Sequence, residues 1–262
     1  MGNGPPHITA RIEAESVSPA PGTTTDLAIT MAPAEGWHGY WKNGGDAGFG
    51  MQLNWTLPPG VRVGETAYPV PDTLVIGGLM NHVFERPYAL IVPLHIAPGI
   101  APGTRLPIRA EANWLACTEE ICVPEHDSFA IDLTVGDGAI TPEVRTAFDR
   151  WRSALPQPLS QPARFARNAQ SMRFAIPYPA NAPLSDPHLF IATDHAIAAA
   201  APQRFSRNGN WLIVETTPDM GDAPPPQTID GLLRIASDRG LELHAIAGTV
   251  PAAGTPVATE TA

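Results

Sequence analysis

Lysine and cysteine are nearly missing from this chain of 262 residues: Lys42 is the one lysine, and Cys117 and Cys122 are the only cysteines. The remaining basic residues are scattered arginines in a chain of formal net charge −10, so no basic stripe exists that could neutralise a run of phosphates, and nucleic acid is not expected as a partner. Long apolar runs are missing too. A bilayer span needs roughly eighteen apolar residues, and the nearest approach, Tyr88 to Ala97, is interrupted by Pro93 and His95. A Gly-rich phosphate loop, a Gly-x-Ser-x-Gly elbow and a helical His-Glu-x-x-His are all absent, which removes the nucleotide-binding and common hydrolase readings. The opening Met1-Gly2-Asn3-Gly4-Pro5-Pro6 lacks the charged and apolar regions of a secretory signal, and Pro6 spoils a myristoylation match. It reads as a replaced or trimmed terminus, which leaves the compartment to be inferred from chemistry.

Turn residues, by contrast, are abundant. Thirty prolines and twenty-three glycines punctuate the chain too heavily for a helical bundle and suit many short strands. Apolar residues at every second position mark strands with one buried face. Ile8, Ala10, Ile12 and Ala14 alternate in this way, as do Leu27, Ile29 and Met31, and Met51, Leu53, Trp55 and Leu57. Further strands are predicted at Tyr88 to Ile96, Leu106 to Trp114 and Ser128 to Val135, with the cysteines on the connection between the last two. Thr141-Pro142-Glu143 predicts a helix start, and Val144, Phe148, Trp151 and Leu155 give it one apolar stripe before Pro156 and Pro158 end it. A second β region follows, carried by Met172, Phe174 and Ile176, Trp211 and Ile213, and Leu241 and Leu243, with Asn208-Gly209 and Asp238-Arg239-Gly240 as turns. Ala196 to Ala201 fits either strand or helix. The expectation is an all-β protein of two immunoglobulin-like antiparallel sandwiches: residues 7–138, a helix and Pro-rich linker at 139–170, a smaller sandwich at 171–250 and a flexible tail at 251–262.

The two cysteines lie five positions apart in Trp114-Leu115-Ala116-Cys117-Thr118-Glu119-Glu120-Ile121-Cys122-Val123-Pro124-Glu125. Such a pair can close a small ring or open to a dithiol, moving two electrons without a cofactor. As a staple it would add little, since in the chain-entropy model a ring of about six residues stabilises by only about 2 kcal/mol. A chain this long with 44% hydrophobic residues can bury a large core without it. A redox-active pair is therefore expected, with a structural bridge in a secreted binding or scaffolding module as the alternative.

Three segments together resemble a known family. Gly36-Trp37-His38-Gly39-Tyr40-Trp41-Lys42-Asn43-Gly44-Gly45-Asp46-Ala47-Gly48, then Asn54-Trp55-Thr56-Leu57-Pro58, then Ala112-Asn113-Trp114-Leu115-Ala116-Cys117 through Cys122-Val123-Pro124-Glu125 are similar in content, order and spacing to the periplasmic amino-terminal region of DsbD/ScsB-type thiol:disulfide interchange proteins. Gly44, where proline is more usual, and Asn81-His82-Val83-Phe84-Glu85 depart from that pattern. The resemblance implies an immunoglobulin-like module in the periplasm, tethered to or part of an inner-membrane protein. It would be a protein-disulfide reductase that takes electrons from a membrane-embedded thiol-carrying domain and passes them to thioredoxin-fold periplasmic clients. It also implies that Cys122 forms the mixed disulfide and that Cys117 resolves it. The fragment itself is expected to be monomeric.

Around the pair, Glu119 and Glu120 lie inside the ring, where negative charge disfavours a thiolate; they either limit off-target exchange or are plain solvated loop charges. Tyr40, Trp41 and Phe84 are candidates for an aromatic cap over the cysteines, and Trp114 for a shield, each against the competing reading of ordinary core packing. Lys42 and Asn43 read as turn residues or as positioners of a partner, and Asp46 as a tie for the Gly-rich loop. Cys117, Cys122 and His126 are spaced as C-x4-C-x3-H, but a closed zinc site needs a fourth ligand and no second pair has ligand spacing, so no metal is assigned. Two thiolates alone suit Cu(I), which stays as a lesser alternative.

Overall fold

The computed structural model describes residues 5–219 and 226–257, so residues 1–4 of the reading of the N-terminus and residues 258–262 of the expected tail lie outside the described residues. The chain divides into two compact units. The first comprises Met1–Lys42, Phe49–Pro71 and Val83–Leu155, and the second Asn43–Gly48, Asp72–His82 and Pro156–Ala262.

Ten strands precede the helix: β1 (Ile8–Ala14), β2 (Thr24–Pro33), β3 (Gly39–Gly45), β4 (Gln52–Thr56), β5 (Val61–Val63), β6 (Asp72–Ile76), β7 (Leu79–Phe84), β8 (Tyr88–Ile96), β9 (Arg105–Cys117) and β10 (Cys122–Thr134). One sheet has the order β1-β2-β8-β5, a second β10-β9-β4 and a third β3-β7-β6. The first two form the immunoglobulin-like part, and side-chain alternation explains why. In β9, Leu106, Ile108, Ala110, Ala112, Trp114 and Ala116 are buried, while Arg105, Pro107, Glu111 and Asn113 are exposed. A strand's period of two therefore gives this sheet one core face and one outer face. β9 and β10 stay antiparallel and in register over their whole length, from Arg105 opposite Thr134 to Cys117 opposite Cys122.

Helix α1 (Pro142–Ser153) follows, with the Thr141 hydroxyl accepting the Val144 N–H, proline in the first turn and Glu143 at the positive end of the helix dipole. Its stripe places Phe148, fully buried, against Ala28 and Ile91 of the first unit. Arg152 in the last turn holds Asp26 at 2.7 Å and also pairs with Glu15. Single-face apolar spacing is enough to specify this helix, because one buried stripe is all that docking on a sheet requires.

The second unit carries β11 (Gln157–Pro158), β12 (Ala163–Arg167), β13 (Met172–Pro177), β14 (His188–Ile191), β15 (Arg204–Asn208), β16 (Trp211–Thr216), β17 (Thr228–Ala236), β18 (Arg239–Ala247) and β19 (Thr255–Pro256). These join in one hydrogen-bonded set, β14-β17-β18-β12-β13-β16-β15-β19, with β11 on β18. Its core includes Phe165, Met172, Phe174, Leu212, Leu233 and Leu243. Two features differ from the expected antiparallel sandwich. The pairs β11–β18 and β12–β18 run parallel, since these strands meet across a long stretch of chain and not through a hairpin. Ala196 to Ala201 forms neither strand nor helix; Ile197 makes an isolated bridge to Pro218. In the expected tail, Thr255 and Pro256 pair with β15.

Candidate functional site

The β9–β10 hairpin ends in a four-residue loop, Thr118-Glu119-Glu120-Ile121. The Thr118 N–H donates to the Ile121 carbonyl at 2.8 Å, while the Thr118 hydroxyl oxygen accepts the N–H groups of Glu120 at 3.1 Å and Ile121 at 3.2 Å. These bonds satisfy the loop backbone locally, as a Ser/Thr turn does. Cys117 and Cys122 are thus the last and first residues of two paired strands, lie directly opposite each other and are joined by a disulfide. The sequence places them on a connection; the ladder in fact runs up to both sulfurs.

The two sulfurs meet different surroundings. Cys117 is 0% exposed, whereas Cys122 is an exposed residue, as are Glu119, Glu120 and Ile121 beside it. Alternation makes this unusual. Cys117 is odd-numbered and lies on the outer face of β9, where Arg105, Pro107, Glu111 and Asn113 meet water. On the edge of β9 away from β10, His38 forms an isolated antiparallel bridge to Cys117, its N–H donating to the Cys117 carbonyl at 2.8 Å and its carbonyl accepting the Cys117 N–H at 3.0 Å. His38, Cys117 and Cys122 therefore form a row across the strands.

His38, not singled out from the sequence, is 2% exposed. Its Nε2 lies 3.4 Å from the Tyr40 hydroxyl, with the two rings edge to face. Burial pushes its pKa below 6.5, and the negative charge of Glu119 partly opposes that shift. Burial also raises the Tyr40 phenol, keeping it protonated. The signal that could have found His38 was its place in Gly36-Trp37-His38-Gly39-Tyr40-Trp41, but only tertiary pairing sets it opposite Cys117.

The other candidates fall in distinct places. Trp41 is buried with the Lys42 ammonium 5.7 Å from its ring, and Lys42 lies 3.4 Å from Glu65. Phe84 is buried and stacks on Tyr88 at 4.1 Å. Trp114, three residues from Cys117, falls on the opposite, core face of β9, where its indole N–H donates to Glu125 at 3.0 Å. That carboxylate also accepts the N–H groups of His7 and Ile8, tying the start of β1 to β10. Asn43 and Asp46 belong to the second unit. The Asn43 side-chain oxygen accepts the Gly45 N–H, and Asp46 accepts the Met80 N–H of β7, each at 2.9 Å. Among the described residues, no three His, Cys, Asp or Glu side chains converge as metal ligands, and no helix is long and apolar enough to cross a membrane.

Comparison with known proteins agrees with this geometry. No curated protein matches the chain. Among solved structures it is similar to the N-terminal periplasmic domain of ScsB from Proteus mirabilis, with 13% identity and a TM-score of 0.68 over 95% of this chain and 97% of that one. It is also similar to the reduced N-terminal domain of Neisseria meningitidis DsbD, with 13% identity and a TM-score of 0.31 over 48% of this chain and 90% of that one. At such identities the ScsB likeness is one of fold. Residues 7–133 match the family model described as thiol:disulfide interchange protein DsbD, N-terminal. The segment that holds the Cys117–Cys122 disulfide is thus similar to the N-terminal region of thiol:disulfide interchange proteins of the DsbD type.

Proposed function

We propose that this module is an electron relay of the periplasm, a protein-disulfide reductase in which Cys122 meets partners and Cys117 resolves them. The reading rests on one observation: the disulfide at the tip of a hairpin joins an exposed cysteine, Cys122, to a fully buried one, Cys117. A partner's thiolate can approach Cys122 but not Cys117, so exchange is directed to one end of the bond. In the loading direction, a thiolate of a membrane-embedded donor domain attacks the Cys122 sulfur, the Cys117–Cys122 bond breaks, and Cys117 leaves with the electron pair and takes a proton. The donor's second thiol then displaces Cys122 and the donor leaves oxidised. In the unloading direction, the Cys122 thiolate attacks a disulfide of a thioredoxin-fold client, and Cys117 then attacks Cys122, re-forming the bond and releasing the client as a dithiol. Two electrons pass in each half and no cofactor takes part.

Removing the resolving sulfur tests the assignment. Cys117→Ala should accumulate a mixed disulfide through Cys122 when offered an oxidised thioredoxin-fold protein, visible as a mass adduct that a reductant dissolves, while Cys122→Ala should form none. The wild-type pair should equilibrate with periplasmic exchange proteins, and a potential below about −300 mV, the range of structural bridges, together with no adduct, would leave only an inert scaffold.

A further inference from the structure

We infer that His38 is the acid–base partner of the buried sulfur, taking the Cys117 thiol proton as that sulfur attacks Cys122 and returning it when Cys117 is the leaving group. This rests on the relay reading above and adds a residue to it. The need is physical. A thiolate is the nucleophile in exchange, yet Cys117 is 0% exposed, and an uncompensated anion in such a place is costly. Water cannot readily carry the proton to a sulfur it does not touch.

The geometry supplies an imidazole for the task. In an antiparallel pair, directly opposed residues project from the same face with neighbouring Cβ atoms, and His38 and Cys117 are so opposed, joined by both backbone hydrogen bonds of the bridge. Both side chains are buried on that face, although the rest of the face on β9 is largely exposed. Tyr40 follows His38 by two residues, in β3, and its hydroxyl at His38 Nε2 orients the ring, which it meets edge to face. Burial keeps the imidazole neutral near neutral pH, and Glu119 and Tyr40 are the titratable groups seen to act on it, from the hairpin loop and from the start of β3. A neutral imidazole can accept a proton; a solvated imidazolium could not.

The step balances without outside reagents. With a partner sulfur on Cys122, the proton of Cys117 Sγ–H passes to the imidazole, the new Cys117–Cys122 bond forms, the Cys122–partner bond breaks, and the partner leaves with the electron pair. The imidazolium then loses its proton to that thiolate or to solvent. Loading runs these movements in reverse.

An aromatic small-molecule disulfide that releases a coloured thiolate separates the two halves of the reaction on the intact chain. The first release reports attack by Cys122 and the second reports resolution by Cys117. His38→Gln keeps a buried hydrogen-bonding side chain but cannot take up a proton. It should slow the second release about 100-fold, the low end for general base catalysis, and leave the first within about twofold. In the wild type the second release should climb as His38 loses its proton, then level off; in the variant it should rise about tenfold per pH unit with the thiolate fraction of Cys117. Tyr40→Phe should slow the second release severalfold. Should His38→Gln not fold, NMR titration of His38 in the wild type decides the matter, because its pKa should differ between the disulfide and dithiol forms. An unchanged second release with an unchanged pH profile, or an identical His38 titration in both redox forms, overturns the inference. Failure of the relay reading looks different: this small-molecule reaction proceeds with its His38 dependence, while no protein partner exchanges with the pair.

Discussion

Both units bury histidine, but the neighbours differ and so does what the histidine can do. In the first unit His38 stands opposite Cys117, and the carboxylate of Glu119 works against its loss of charge. In the second unit His82 and His188 face each other edge on at 6.1 Å, both rings near Phe190 and both under the influence of the Arg234 guanidinium. Burial pushes His82 down to about 4 and His188 to about 3; the Asn43 carbonyl and Asp46 partly restore the first, while His82 and Arg234 further depress the second. Arg234 is itself 5% exposed and is held by Asp186 at 2.8 Å. A histidine beside a thiol and a carboxylate has a proton to exchange and somewhere to send it. Two histidines beside a guanidinium are neutral packing groups, and protonating them only costs stability.

The comparison breaks most visibly in the core of the second unit. Phe174→Ala, at a fully buried position against Phe165, should cost about 3–5 kcal/mol of that unit's stability, as large-to-small core changes of this kind do, and leave the rate of thiol exchange at Cys122 unaltered. Unfolding monitored at each unit, alongside an exchange assay, reads both; a matching loss of exchange would show that the units do not divide their roles as described.

Acid sharpens the contrast. The folded-state pKa values of His82 and His188 lie below the ordinary 6.5, so from pH 6.5 downward the unfolded chain takes up protons that the folded unit does not. Stability of the second unit should fall as the pH drops from 6.5 to about 3, the His82 contribution levelling off near pH 4 and the His188 contribution near pH 3. At pH 5 each ring should cost about 2 kcal/mol. His188→Phe should remove one of these contributions, which urea unfolding at a series of pH values would register as a shallower slope.

The smallest effect concerns the loop charges. Glu119→Gln with Glu120→Gln should speed the reaction of the dithiol with a small disulfide severalfold, since both are exposed residues of the loop between the cysteines, where negative charge disfavours a nearby thiolate. Screening by salt should shrink the difference. Equal rates in low salt would mark the glutamates as solvated loop charges only.

Some of this architecture could be read from the chain, for local reasons. Ile8–Ala14 is a strand whose limits agree with its alternation, Tyr88–Ile96 is a strand with the predicted limits whose Ala89–Val92 run is buried throughout, and α1 begins at the capping sequence Thr141-Pro142-Glu143. The cysteine pair was legible because two thiols five residues apart are within reach of each other in almost any hairpin. The strand that reaches Cys122 was not, because Val123 to Ser128 shows little apolar alternation; pairing with β9 and not burial keeps it extended. The assignment of Asn43–Gly48 and Asp72–His82 to the second unit could not be read either, since their burial depends on residues more than a hundred positions away, such as Ala192 and Phe190.

By itself the amino-acid sequence determined that the chain is a many-stranded β protein with a helix at Pro142–Ser153 and a pair of thiols, because periodicity, caps and turns act between near neighbours. Tertiary structure alone decided that Cys117 is buried and Cys122 exposed, that Trp114 turns away from them, and that His38 stands opposite Cys117. Those outcomes depend on register between segments 79 positions apart, and a register shift of one residue would send each of these side chains to the opposite face of its strand.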